Sequence, residues 1–392
     1  MLKRLRGVLG LSAGHFVIDI YSPVIPAILP LLIASYGYSY FAAGVLAAAF
    51  NITSSLLQPI AGMAADRRGA LIPIGLPIII SAVAVSAYGV VEAYPLLLIC
   101  ACCAGIGHAT FHPTALAAVN RLSRAENRGR ITSIFVIGGN FGFAVGPVLA
   151  GLIVVAFGLP GLVWLVIPGI IAGIAFLVFR PGRGGSGDHP GATDVEDTGP
   201  LSYRPILLLI TVGALRSWVI FGSIAYLPAY IHAQLGVDLL TADALVSLML
   251  VAGVVGQYVG GHLSDRYGRK EYTLFGLSAA VLPFLLFIST SGVLSYAALL
   301  LFGFLLWSTF SVTVAMAQEV LPGRAGLASG LMLGLAVGAG GLGVAASGAI
   351  ADASSLGTAL SLLLLPIVAA ALLMTVVPYP WKSLAGRVRD RL

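Results

Sequence analysis

The sequence predicts an all-α membrane protein of twelve transmembrane helices, arranged as two pseudo-symmetric six-helix halves. Three observations predict it. Of 392 residues, 59% are apolar and 9% charged, with a mean hydropathy of +1.01. A soluble domain of this size cannot cover itself with so little charge. The apolar residues fall into twelve runs of about 20 residues or more, the length a helix needs to cross a bilayer. Finally, all but one of the 21 Lys and Arg residues fall on one side of a membrane threaded by those runs.

The runs are 7–35, 40–65, 71–91, 95–120, 131–157, 161–180, 204–235, 241–263, 272–290, 293–320, 327–350 and 355–379. Several exceed the hydrocarbon thickness and must tilt, kink or project into water. The first is too long for a secretory signal and lacks a small-residue cleavage site, so it reads as a retained helix. Basic residues occur at Lys3, Arg4, Arg6; Arg67, Arg68; Arg121, Arg124, Arg128, Arg130; Arg180, Arg183, Arg204; Arg266, Arg269, Lys270; Arg324; and Lys382, Arg387, Arg389, Arg391. All lie on one face if both termini are cytoplasmic. The opposite loops (36–40, 92–94, 158–160, 236–240, 291–292, 351–354) contain neither Lys nor Arg. This is the positive-inside bias in nearly pure form, and it orients the chain; a multi-pass protein of the cytoplasmic membrane is expected. The net charge of +6 then reflects topology and not a nucleic-acid footprint, because the basic residues are dispersed over short loops. Cys100, Cys102 and Cys103 crowd one apolar segment and read as small packing residues. No cofactor or resident metal is expected, and the chain is expected to be monomeric.

The only long polar stretch, 181–203, is rich in Gly, Asp and Pro and reads as a cytoplasmic linker between halves 1–180 and 204–392. An internal repeat supports the split. GMAADRRG at 62–69 matches GHLSDRYG at 261–268, and glycine-rich segments at 131–157 and 327–350 correspond at nearly the same offset. Two parallel six-helix halves joined in this way resemble the major facilitator superfamily. Gly62, Asp66, Arg67 and Gly69, with their copies Gly261, Asp265, Arg266 and Gly268, resemble that family's signature loop. The resemblance implies a cytoplasmic gate: glycine allows close helix approach, and Asp and Arg supply breakable polar contacts. Glu319 and Arg324, at the turn after the tenth segment, are assigned to the same gate by resemblance.

Gly142-x-x-x-Gly146-Pro147-x-x-Ala150-Gly151 resembles the glycine–proline motif of proton-coupled exporters in this superfamily, with Ala150 where a further Gly is usual. HFVIDIYSPVIPAILPLL (15–32), FHP (111–113), SIFVIGGNFGFAVGP (133–147) and QEVLPGRAGLASGL (318–331) resemble its fosmidomycin-resistance branch. Members of that branch are expected to expel small toxic compounds in exchange for protons, although substrates vary widely on this fold.

Resemblance also implies that helices 1, 4, 7 and 10 line a central cavity. His15 and Asp19 share one face of the first helix, and His108 and His112 share one face of the fourth. Asp19 lies 12 residues past Gly7, about 18 Å along a helix, near mid-bilayer. Arg216 occupies the equivalent depth in the second half. Ser308, Thr309, Ser311 and Thr313 are the polar residues of the tenth helix. Charges at such depth cost about 3 kcal/mol each, so they should face a cavity or a partner. An Asp19–Arg216 ion pair is the natural expectation. Asp19 and His15 are the candidate proton-coupling residues, and Arg216, His108, His112 and Asn140 the candidate substrate-binding residues. Pro23, Pro26 and Pro30 should bend the first helix, and Pro113 follows His112.

Three functions remain open: a proton-coupled exporter of small organic compounds; a transition-metal transporter using His15, Asp19, His108 and His112; and an importer of an organic anion held by Arg216. The arginine argues against a metal, because a fixed cation repels one. No metalloprotease, nucleophile-elbow or phosphate-loop motif points to an enzyme.

Overall fold

The computed structural model describes residues 2–68, 72–123, 128–179, 203–322 and 324–381. Among these residues the chain is helical, without a strand. Eleven helices are long and apolar enough to cross a membrane, and a shorter apolar helix completes the expected twelve. They are α1 (Leu5–Tyr36), α2 (Tyr40–Ala61), α3 (Gly75–Gly89), α4 (Tyr94–Leu122), α5 (Ile131–Phe157), α6 (Leu159–Phe179), α7 (Tyr203–Leu235), α8 (Leu239–Tyr267), α9 (Arg269–Ser289), α10 (Gly292–Val320), α11 (Leu327–Ala353) and α12 (Leu356–Val376). Large side chains such as Val155, Ile171, Leu282 and Leu365 stay exposed on their outer faces, as lipid permits and water does not. Most of the expected linker 181–203 lies outside the described residues; Tyr203 already belongs to α7.

Helix α1 is broken, as its prolines predict, but at one place only. Its pieces Leu2–Ile20 and Val24–Tyr36 are joined by a turn at Tyr21–Pro23. Pro23 has no N–H to donate, and its ring excludes the carbonyl four residues back, which is that of Asp19. That carbonyl instead accepts the Ser22 amide at 3.3 Å. Pro26 falls in the first turn of the second piece, where no amide bond is lost. Pro30 is accommodated within that piece without a break.

The chain divides into two compact units, Met1–His189 with Leu227–Ser247, and Pro190–Tyr226 with Leu248–Leu392. This differs from a division at the linker alone. The turn joining α7 to α8 belongs with the first unit, where the Val148 amide donates to Ser247 Oγ at 3.1 Å.

Each unit sets its first helix against a glycine-rich one. In the first, a Cβ added at Gly138, Gly142 or Gly146 of α5 would meet the α1 carbonyls of Ser12, Phe16 or Ile20 at 2.4, 2.1 and 2.6 Å. In the second, a Cβ at Gly340 or Gly343 of α11 would meet Ser217 or Trp218 of α7 at 2.4 or 2.1 Å. Glycine brings the backbones together where no hydrophobic force between helices operates in lipid. Lys270, only 3% exposed, is enclosed within the second unit. Its Nζ donates to the Thr375 and Val377 carbonyls at 2.9 and 2.7 Å, satisfying the orphan acceptors at the end of α12.

Candidate functional site

The break in α1 leaves Asp19 at the end of a half-helix, 8% exposed, among three imidazoles of the first unit. His15 Nε2 lies 3.2 Å from Asp19 Oδ2; His108 Nε2 and His112 Nε2 lie 3.1 and 3.3 Å from Oδ1. His15 is fixed twice by α5: its Nδ1 meets the Phe135 carbonyl at 2.8 Å, and its ring stacks on Phe135 with centroids 4.1 Å apart. His112 Nδ1 meets the His108 carbonyl at 2.8 Å, the i−4 acceptor on its own helix.

These bonds fix where the protons are. A carbonyl only accepts, so the Nδ1 atoms of His15 and His112 both carry hydrogen. Their Nε2 atoms, 3.1 Å apart, are therefore two lone pairs facing each other beside a carboxylate unless a proton is added. One added proton turns the contact into hydrogen bonds and balances the single negative charge of Asp19. The donors His15, Asp19 and His112 lie within 4.8 Å of one another, so by spacing a metal ion could also be held there.

Gly139 is the residue that sequence reasoning missed here. A Cβ at this position would stand 2.3 Å from His15 Nε2 and 2.6 Å from Asp19 Oδ2. The signal was present as the Gly138–Gly139 pair, but nothing in the sequence says which of the two faces the histidines. Gly139→Ala is expected to displace the His15–Asp19 pair at an overpacking cost of about 1–3 kcal/mol. Transport per folded molecule should fall while membrane insertion persists, as measured by flux normalised to protein in vesicles. Asn140, the next residue, is half-buried.

Arg216 is 1% exposed within the second unit. Its Nη1 donates to the Thr309 carbonyl at 3.1 Å and to Thr313 Oγ1 at 2.6 Å, and its guanidinium carbon lies 4.8 Å from the Phe310 ring centroid. Two of the polar α10 residues singled out in the sequence thus hold it. Its Nε is buried without a partner among the described residues, which leaves one guanidinium donor unused there. Within its own unit, Asp19 is met by imidazoles of α1 and α4, and Arg216 by a carbonyl and a hydroxyl of α10.

Of the gate residues, Gly62, Asp66 and Arg67 lie outside the described side chains. In the second copy, Asp265 pairs with Arg269 at 3.2 Å across the turn into α9, and Arg269 Nε reaches Glu319 at 2.7 Å. Tyr379 also donates to Glu319. Arg266 lies over the Tyr267 ring, 5.4 Å from its centroid. Among the described residues, Arg324 Nε is buried without a partner, and Arg269 is the cation that Glu319 meets. Gly261 corrects another expectation. A Cβ there would meet nothing, whereas one at the adjacent Gly260 would meet the Ser308 carbonyl at 2.2 Å. Gly260 is the close-approach glycine. Gly268, at φ +106°, is required for another reason: that backbone region excludes L side chains.

In α5, Gly142 and Gly146 pack on α1 as described, and Pro147 is followed by the amide that Ser247 takes. Gly151 faces α8 instead: a Cβ there would lie 2.6 Å from Asp243 Oδ2.

Comparison with known proteins places these features in a family. Residues 11–344 match the Major Facilitator Superfamily model. The fosmidomycin resistance protein of Escherichia coli is 32% identical over 370 residues, 89% of this chain and 87% of that protein. The uncharacterized transporter YfnC of Bacillus subtilis is 32% identical over 367 residues, 90% of this chain and 88% of that protein. A bacterial homologue of the human lysosomal transporter Spinster, in an inward-facing and occupied conformation, has the same fold at TM-score 0.77 and 17% identity, with 94% of each chain covered. By sequence and by fold, this multi-pass membrane protein belongs to the major facilitator superfamily of transporters.

Proposed function

We propose that the protein is a proton-coupled exporter of small organic compounds, working by alternating access from the cytoplasmic membrane with both termini cytoplasmic. The observation that carries this reading is the Asp19 cluster, where two Nδ1–H imidazoles turn their Nε2 lone pairs toward each other and toward a buried carboxylate. Such a site gains or loses one proton with little rearrangement, since the donors and acceptors already stand at hydrogen-bond distance. Imidazole ordinarily titrates near neutral pH, the range a cell offers. Its position beside the α1 break gives it a polar notch in an otherwise apolar segment. The 32% identity to a protein named for fosmidomycin resistance supports outward transport of a toxic compound.

Arg216 is the residue proposed to receive an anionic group of the substrate, through the donors that Thr309 and Thr313 leave free. The Asp265–Arg269–Glu319 chain is proposed to close the cytoplasmic end. Its side chains are 26–66% exposed. Ion pairs so exposed contribute about 0–1 kcal/mol each, weak enough to break in every cycle.

A transition-metal reading draws on the same trio of donors. It is the weaker one, because a single added proton bridges the 3.1 Å contact between the His15 and His112 Nε2 atoms beside the carboxylate without any further ligand. The deciding experiment uses vesicles loaded with a pH dye and challenged with organic acids, drugs and divalent metals. Substrate-driven proton release by an organic compound supports the proposal. Flux driven by a metal alone, or by an organic anion without proton movement, would replace it with one of the other readings.

A further inference from the structure

Asp243 lies in the first turns of α8 and is 0% exposed. Among the described residues, neither carboxyl oxygen has a hydrogen-bond partner. The chain supplies a ready comparison five residues earlier. Asp238 is exposed, and its carboxylate accepts the Thr241 amide and hydroxyl at 2.9 and 2.6 Å. Those bonds hold Asp238 below the usual carboxylate range. Asp238 is therefore an ionised helix cap. Asp243 has no such donors among the described residues.

No counter-charge meets it from α5 or from its own hairpin among the described residues. Oδ2 rests against Gly151 of α5, and α5 carries no titratable side chain from Ile131 to Phe157. One turn along α8, Ser247 Oγ receives the Val148 amide beside Pro147, so the α8 face bearing Asp243 and Ser247 lies on the glycine–proline motif. Within the same hairpin, His232 Nδ1 donates to the Val237 carbonyl and Asp238 is bonded to Thr241. None of the ion pairs among the described residues includes Asp243. An ionised carboxylate sealed in this way, unpaired and unsolvated, is strongly unfavourable; the protonated acid is tolerated.

We infer that Asp243 is a second proton-binding site, which takes up a proton from water as the α7–α8 turn closes on the glycine–proline motif of α5 and releases it when that turn lifts away. The step is COO⁻ + H⁺ → COOH, with no other reactant. Gly151 is the residue that lets the neutral carboxyl seat against α5, since any Cβ there collides with Oδ2. The glycine–proline motif thereby becomes a surface that admits α8 only in its protonated form, so closure of this end depends on pH. The inference is independent of proton coupling at Asp19.

The test is infrared spectroscopy of the purified full-length protein in lipid vesicles at neutral pH. The wild type is expected to show the C=O band of a protonated carboxylic acid, Asp243→Asn to lack it, and Asp19→Asn to retain it. An identical band in wild type and Asp243→Asn overturns the proposal. If Asp243→Asn does not fold, Gly151→Ala decides. It keeps the carboxyl but presses on Oδ2, and should shift the band; an unshifted band overturns the proposal. A second readout follows closure. With Cys100, Cys102 and Cys103 replaced, Val237→Cys should label about tenfold faster per pH unit across one single-proton transition. With Asp243→Asn added, labelling should stay slow at every pH, and a retained pH dependence refutes the switch.

Discussion

Asp19→Asn is expected to abolish proton-driven transport while leaving the fold intact. An amide matches the carboxyl in shape but carries no charge, so the proton shared between His15 and His112 loses the anion that balances it. One proton exchanged per cycle lets a difference of one pH unit sustain about a tenfold substrate gradient. The wild type should build that gradient in vesicles and Asp19→Asn should build none, whatever the pH step. Exchange of substrate across the membrane without a gradient should survive, because Asn still occupies the space between the imidazoles. Full pH-driven accumulation by the variant would remove Asp19 from the coupling step and leave His15 and His112 as the remaining carriers.

Arg216→Lys should weaken an anionic substrate strongly and leave the pH dependence unchanged. Hydrogen bonds to a charged group contribute about 1.5–3 kcal/mol, so losing one predicts roughly a 10- to 150-fold loss of affinity. Lysine keeps the charge and can still reach Thr313, but it has no second edge to offer an anion. Arg216→Ala should lose more, because the Thr313 hydroxyl and the Phe310 face are then left without their cation. Neither variant should move the pH profile, since the carboxylate of Asp19 is balanced by imidazoles of its own unit. Substrate titration by intrinsic fluorescence, run beside the vesicle pH assay, separates the two effects. Unchanged affinity in Arg216→Lys would exclude a bidentate role for the guanidinium.

The sequence by itself determined the number, order and apolar character of the helices, because lipid requires every spanning backbone group to bond within its own helix, and the length of that helix is written in the hydropathy. The break at Pro23 was legible for the same reason, since a missing N–H is a local fact. So was the pairing of His15 with Asp19, which needs only the helical repeat. What only the tertiary structure decided is who meets whom across helices. Asp19 meets His108 and His112 of α4, and that approach depends on small residues such as Gly139, whose facing is not encoded by spacing alone. Gly260 displaced Gly261 by one position, a 100° rotation of a helix that no pattern of glycines reveals. Asp243 was invisible for a related reason. It lies in the first turns of α8, where spacing does not distinguish a solvated carboxylate from a sealed one, and only the approach of α5 through Gly151 shows that it is buried.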